Sequence, residues 1–111
     1  MEVRRDKLEW TKGEDLIKNF SMINEAGRET IRSFCSVCGS SLLFDSEFNK
    51  TDGTIEVALG TFDHFDSSQP LPRADAHIYT TFKAPWYHIP EDGTTEHFPH
   101  FRKQEGGEGA D

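Results

Sequence analysis

A mainly β fold of short antiparallel strands is what this sequence predicts, on three observations. Residues 54–59 set Ile55, Val57 and Leu59 against Thr54 and Glu56, the two-residue period of a half-buried strand. Two short runs, 30–34 and 40–44, flank the segment Cys35-Ser36-Val37-Cys38-Gly39 and read as strand, tight turn, strand. No stretch repeats apolar residues at three-to-four spacing over the length of a long amphipathic helix.

Taken in order, residues 3–10 are short and charged with Leu8 and Trp10 alternating, which suits an edge strand, and Gly13-Glu14-Asp15 breaks it. Residues 16–23 suit either a short helical turn followed by a strand, or a strand alone. Residues 24–28 contain Gly27 and read as a hairpin turn. The next strand places Thr30, Arg32 and Phe34 on one side and Ile31 and Ser33 on the other, and leads straight into the cysteines. Residues 45–53 form a polar stretch closed by the turn signal Asp52-Gly53. Gly60 ends the strand that follows, and residues 61–76, punctuated by Pro70 and Pro72, read as a long surface loop. Residues 76–82 are β-branched and aromatic, hence strand, until Ala84-Pro85-Trp86-Tyr87 interrupts them. Residues 1–103 are expected to form one domain, with 104–111 an acidic, glycine-rich disordered tail.

Composition narrows the function. With 111 residues and 34% hydrophobic content, the chain can build one modest core, so stabilisation by a metal or a partner chain is expected. The net charge of −8, without any lysine or arginine run, excludes general nucleic-acid binding. No apolar stretch is long enough for a membrane span, and residues 1–6 lack the apolar core of a secretory signal. A cytoplasmic protein is expected.

Chemistry concentrates at the only two cysteines, Cys35 and Cys38. Two thiolates two residues apart on a tight turn can both face one zinc ion at about 2.3 Å, and Gly39 allows the backbone a positive φ that brings amide N–H groups toward the sulfurs. This makes a metal half-site, since a closed structural site takes four ligands. Two other readings stay open: a redox dithiol, which expects a helix to start at the motif, and two small apolar residues simply packed away. His97 and His100 could complete a two-cysteine, two-histidine set, though their spacing far exceeds that of compact zinc fingers. A second chain could instead supply its own Cys35 and Cys38, giving a homodimer that shares zinc.

Three ordered segments carry a family resemblance: Arg32-Ser33-Phe34-Cys35-Ser36-Val37-Cys38-Gly39-Ser40, then Leu59-Gly60-Thr61-Phe62-Asp63, then His77-Ile78-Tyr79 with Lys83-Ala84-Pro85-Trp86-Tyr87. Upstream, Trp10-Thr11-Lys12-Gly13-Glu14-Asp15-Leu16 fits the same series. Over about residues 8–92 the chain resembles the C-terminal portion of the glutathione-dependent formaldehyde-activating (Gfa), centromere-protein-V-like domain. The resemblance implies an Mss4-like fold, zinc held by cysteines, and a cytoplasmic carbon–sulfur lyase relationship through S-(hydroxymethyl)glutathione synthesis. Glutathione or another small thiol is the implied small-molecule partner. It also implies that Cys35 and Cys38 serve a structural four-cysteine zinc site, whose other pair is a Cys-x-Cys near the domain start. A separate three-cysteine cluster holds the zinc associated with catalysis. Neither has a counterpart in residues 1–111, so the chain reads as N-terminally truncated and inactive as it stands, with a non-catalytic zinc-bridged dimerisation module as the alternative.

Other polar and aromatic residues receive structural readings. His77 begins a strand and is expected to be a hydrogen-bonded structural residue. Trp86 and Tyr87 could wall a thiol pocket but are expected in the core, and Asp63, His64 and Asp66 are expected to be solvated loop residues.

Overall fold

The computed structural model describes residues 1–63, 68, 74–91, 93 and 95–101. The chain divides into two compact units, Met1–Pro70 and Leu71–Asp111. The first is organised on a five-stranded antiparallel sheet, as the alternating runs predict. Its strands are β1 (Glu2–Arg4), β2 (Ile17–Ile23), β3 (Glu29–Cys35), β4 (Ser41–Ser46) and β5 (Thr54–Val57), in spatial order β1-β5-β4-β3-β2. Strands β2 to β5 form a meander, and β1 joins its far side by pairing with β5.

Local chemistry explains the turns. Between β2 and β3 the Asn24 side chain accepts from the amides of Ala26 and Arg28, both at 3.0 Å, while Gly27 takes φ 76°. A 3-10 turn at Glu14–Leu16 precedes β2, which selects the first of the two readings for that stretch. Strand β1 is shorter than expected: a 3-10 turn at Arg5–Lys7 ends it, and Leu8 and Trp10 lie outside any strand.

Between β4 and β5 the chain forms a helix, α1 (Glu47–Asp52), where the sequence suggested only a polar turn. Ser46 caps it by accepting from the Asn49 amide at 3.1 Å, and Gly53 closes it with φ 74°. Asn49, 2% exposed, bonds Ser46 at one end of its side chain and Thr54 Oγ1 at 3.0 Å at the other. Strand β5 is also shorter than the alternation suggested. Thr61 turns back to donate from its hydroxyl to the Ala58 carbonyl at 2.6 Å, winding Leu59–Thr61 into a 3-10 turn.

Apolar burial is thin. Ile55 is the buried hydrophobic residue among those described, beside buried Thr30, Asp45 and Asn49. Phe20, Met22 and Ile23 on the edge strand β2 are exposed. The centre is held by a polar node. Asp45 accepts from Arg5 Nη1 at 3.0 Å and Nη2 at 2.5 Å, and Arg5 Nη2 also donates to the Thr54 carbonyl at 3.0 Å. This ties the start of the chain to β4 and β5.

The second unit contains β6 (Ala76–His77) and β7 (Glu96–His97), paired in parallel with His77 opposite His97. The strand expected over 76–82 stops early because Tyr79 takes φ 54°, and a 3-10 turn at Thr80–Phe82 follows. The parallel ladder departs from the antiparallel expectation. It is continued by Tyr79, Thr80 and Thr81, whose amides donate to the carbonyls of His100, Phe98 and Pro99. The tail 104–111 and most of the 61–76 loop lie outside the described residues.

Two measurements check this account. Removing Arg5 leaves Asp45 buried beside an empty position, so Arg5→Ala should lower unfolding stability by about 1.5–2 kcal/mol. This is the modest end of the range for charged hydrogen bonds because Arg5 reaches solvent. Urea melts should show a lower midpoint at unchanged slope. Glu56 faces Glu2 across the sheet, and burial, then the Glu2 charge, raise its carboxyl above the usual range. Asp45 adds to this and the Met1 ammonium opposes it. The folded state therefore holds this proton to higher pH than the unfolded chain does. Its stabilising contribution is complete below the ordinary glutamate value and is lost as pH rises through the raised one. Glu56→Gln should raise the urea midpoint at pH 7, with the gain vanishing at about pH 3.

Candidate metal centre and adjoining cleft

Cys35 ends β3 and Cys38 stands in the turn before β4, so the two thiols sit at the tip of a strand-turn-strand, as the flanking runs predict. A register shift in the β3–β4 ladder between Ser33 and Phe34 precedes the turn. The turn is closed on both sides of the pair. Gly39 N–H donates to the Cys35 carbonyl at 2.8 Å, and Cys35 N–H donates to the Ser40 carbonyl at 3.0 Å. Ser36 N–H reaches across to the Leu16 carbonyl at 2.9 Å, anchoring the knuckle to the start of β2. Gly39 has φ 78°, the conformation the sequence assigned to it.

One amide and one hydroxyl contact the sulfurs. Val37 N–H donates to Cys35 Sγ at 3.4 Å, and Ser40 Oγ lies 3.1 Å from Cys38 Sγ. The Ser40 hydroxyl is the largest influence on Cys38, followed by the Ser40 amide and the Cys35 side chain. Together they hold the Cys38 thiol below its ordinary value, against a small opposing effect of burial. Both cysteines are free thiols, Cys35 half-buried and Cys38 exposed. A strand, not a helix, follows the pair, which removes the feature a thioredoxin-like dithiol requires.

Beside the knuckle lies an open cleft of about 670 Å³. Cys35, Cys38 and Ser40 form one part of its lining, Trp10 and Lys12 another, and Thr61 with Asp63 a third. Thr61 ends the 3-10 turn at Leu59–Thr61 and Asp63 follows two residues on, so both line the cleft that the cysteines line, a proximity no local pattern indicates. Asp63 is exposed, as expected. His64 and Asp66 lie outside the described residues.

Two thiols fit half of a tetrahedral zinc site in donor type, spacing and amide support. Among the described residues no group of three or more histidine, cysteine, aspartate or glutamate side chains is placed to hold a metal. His97 and His100 belong to the second unit. The His97 ring meets His77 edge-to-face at 5.2 Å between centroids, and the His100 ring meets Phe82 at 6.2 Å. His77 accordingly takes a structural place in the β6–β7 ladder. Trp86 and Tyr87 are not core residues. Lys83 Nζ donates to the Tyr87 carbonyl at 2.7 Å and Tyr87 N–H to the Ala84 carbonyl at 3.0 Å, a closed turn around Pro85 that leaves Trp86 80% exposed.

The Ser40 contacts carry a direct test. In a Cys35→Ser background, Ser40→Ala should move the pH profile of Cys38 alkylation upward, toward that of an ordinary thiol. An unchanged profile would show that Ser40 does not support the sulfur.

No curated protein and no solved structure matches this chain. Residues 1–81 match the profile of the family described as glutathione-dependent formaldehyde-activating enzyme. That span takes in the knuckle, the 59–63 turn and the His77-Ile78-Tyr79 segment. With most of its length matched, the chain belongs to the glutathione-dependent formaldehyde-activating enzyme family.

Proposed function

We propose that residues 1–111 form a partial zinc-binding domain of this family, in which Cys35 and Cys38 contribute two thiolates to a structural zinc site in a reducing, cytoplasmic setting. The observation that carries the reading is the knuckle itself: two sulfurs on one Gly39-closed turn, with the Val37 N–H directed at one and the Ser40 hydroxyl in hydrogen-bond contact with the other. Zinc bound there would cross-link the tip of β3 and β4, a stabilisation suited to a unit with so little buried apolar surface. Catalysis is a separate matter. A catalytic zinc takes typically three protein ligands and keeps an open position, and the chain carries two cysteines in all. We therefore expect this chain alone not to accelerate the union of formaldehyde with glutathione. The cleft supports a small thiol as ligand, since its volume falls in the range of small-molecule sites and Lys12 offers a cation to a carboxylate.

A second reading is favoured by the exposure of Cys38 and of Val37, which is 75% exposed. Two knuckles from two chains could meet over one ion, giving a non-catalytic homodimer with a four-cysteine site.

Metal content per chain separates the readings. The bridged dimer predicts one zinc per two chains, with metal and dimer lost together in Cys35→Ser or Cys38→Ser. The partial domain predicts weak monomeric binding through two thiolates, lost in the same variants without a change in mass. No zinc uptake by a reduced sample would overturn both. Formaldehyde-dependent loss of glutathione should run at the uncatalysed rate, and a faster rate abolished by Cys38→Ser would overturn the inactive assignment.

A further inference from the structure

One row of side chains crosses the whole first sheet on a single face. Residues directly opposite in antiparallel strands point the same way, and the register from β1 to β2 reads Glu2, Glu56, Phe44, Arg32, Phe20. Two carboxylates stand at one end, a ring in the centre, and a guanidinium with a second ring at the other. The guanidinium carbon of Arg32 lies 5.4 Å from the centre of the Phe44 ring, and Arg32 Nη1 donates to Met22 Sδ at 3.2 Å. Neither Arg32 nor Glu56 has an ion pair among the described residues. Phe20 and Met22 are exposed, so the positive end also carries uncovered apolar surface.

The remaining charges near the row keep this polarity. Lys18, two residues from Phe20 along β2, adds to the positive end. At the acidic end Arg4 is held by Asp6 at 2.6 Å, and the Met1 ammonium donates to the Val57 carbonyl at 2.7 Å. Such a row is its own complement when reversed. A twofold axis running along β4 above Phe44 sets it against an inverted copy of itself. Arg32 of each chain then falls opposite Glu56 of the other, the two Phe44 rings meet at the axis, and Phe20 and Glu2 stand at the open rim.

We propose that this face of the first sheet is the contact between two copies of the chain, packed sheet on sheet about that axis and held by reciprocal Arg32–Glu56 ion pairs around the Phe44 rings. The reversed order of charge is what selects a second copy: a face of one sign would repel its own copy, and a purely apolar face would not discriminate. The net charge of −8 opposes association at long range, but salt screens charges beyond about 8 Å while pairs in contact keep their attraction. Glu56, whose carboxyl is held above its usual range by burial and then by Glu2, gains between chains the cation it lacks within one. The contact uses neither cysteine and needs no zinc.

Sedimentation equilibrium over a concentration series tests this on the full chain, reduced and in the presence of a chelator. The unaltered chain should form a dimer, and Cys35→Ser should leave it unchanged, which separates this contact from a zinc-bridged one. Arg32→Glu and Glu56→Arg should each weaken association at least about tenfold, because each sets like charges opposite one another twice. An equimolar mixture of these two variants should associate again, since each acidic position of one chain then meets a cationic position of the other. Glu56→Gln is the milder change and decides the matter should a reversal fail to fold by circular dichroism. It should unfold at a higher urea midpoint when dilute yet associate less, opposite movements that a role within one chain does not produce. A monomer at every concentration, a dimer indifferent to these substitutions, or a mixture of folded variants that stays monomeric would overturn the proposal.

Discussion

The first unit depends on the pairing of Arg5 with Asp45. Asp45 is 8% exposed near the end of β4, where an unpaired carboxylate would be costly. Arg5 meets both of its oxygens, and the Asp45 carboxylate also accepts from the Ser46 amide at 3.0 Å. Ser46 in turn caps α1, and Asn49 carries the network on to Thr54. One connected set of polar contacts thereby fixes β1, β4, α1 and β5 where the apolar core is too small to do so alone. Networks of this kind confer geometry as much as stability, because each member has only one arrangement in which all its partners are met.

That rigidity matters to the cysteine knuckle. Strand β4 leaves the knuckle at Ser41 and ends at Asp45 and Ser46, so the polar node fixes the far end of the strand that follows Cys38. At the near end, Ser36 and Cys35 are bonded to Leu16 and Ser40. The sulfurs are thus presented by a turn whose backbone has little freedom, the condition a metal half-site needs to bind without a large ordering cost.

Family membership and function are carried by different features. The matched profile spans 1–81 and includes segments with no part in the knuckle, so it identifies ancestry and fold. Activity requires a ligand set, and the described residues offer two sulfurs with no third donor grouped beside them. Belonging to an enzyme family therefore leaves the catalytic question to the site.

The period-two alternation at 54–57, the hairpin at Asn24 to Arg28 and the strand-turn-strand around Cys35 and Cys38 were legible in the sequence, because each is set by neighbours within a few residues. So was the positive φ of Gly39, which the chemistry of the turn demands. Helix α1 was missed because its cap, Ser46 with Asn49, resembles any polar turn until Thr54 completes the bonding of the buried asparagine. The parallel pairing of β6 with β7 and the outward position of Trp86 were equally hidden, since the first joins segments about twenty residues apart and the second follows from how Lys83 closes the turn around Pro85. Sequence alone determined that two thiols share one glycine-closed turn. Only the tertiary structure decided that Lys12, Trp10 and Asp63 stand beside them, because that proximity arises from sheet order and a 3-10 turn, neither of which is encoded locally.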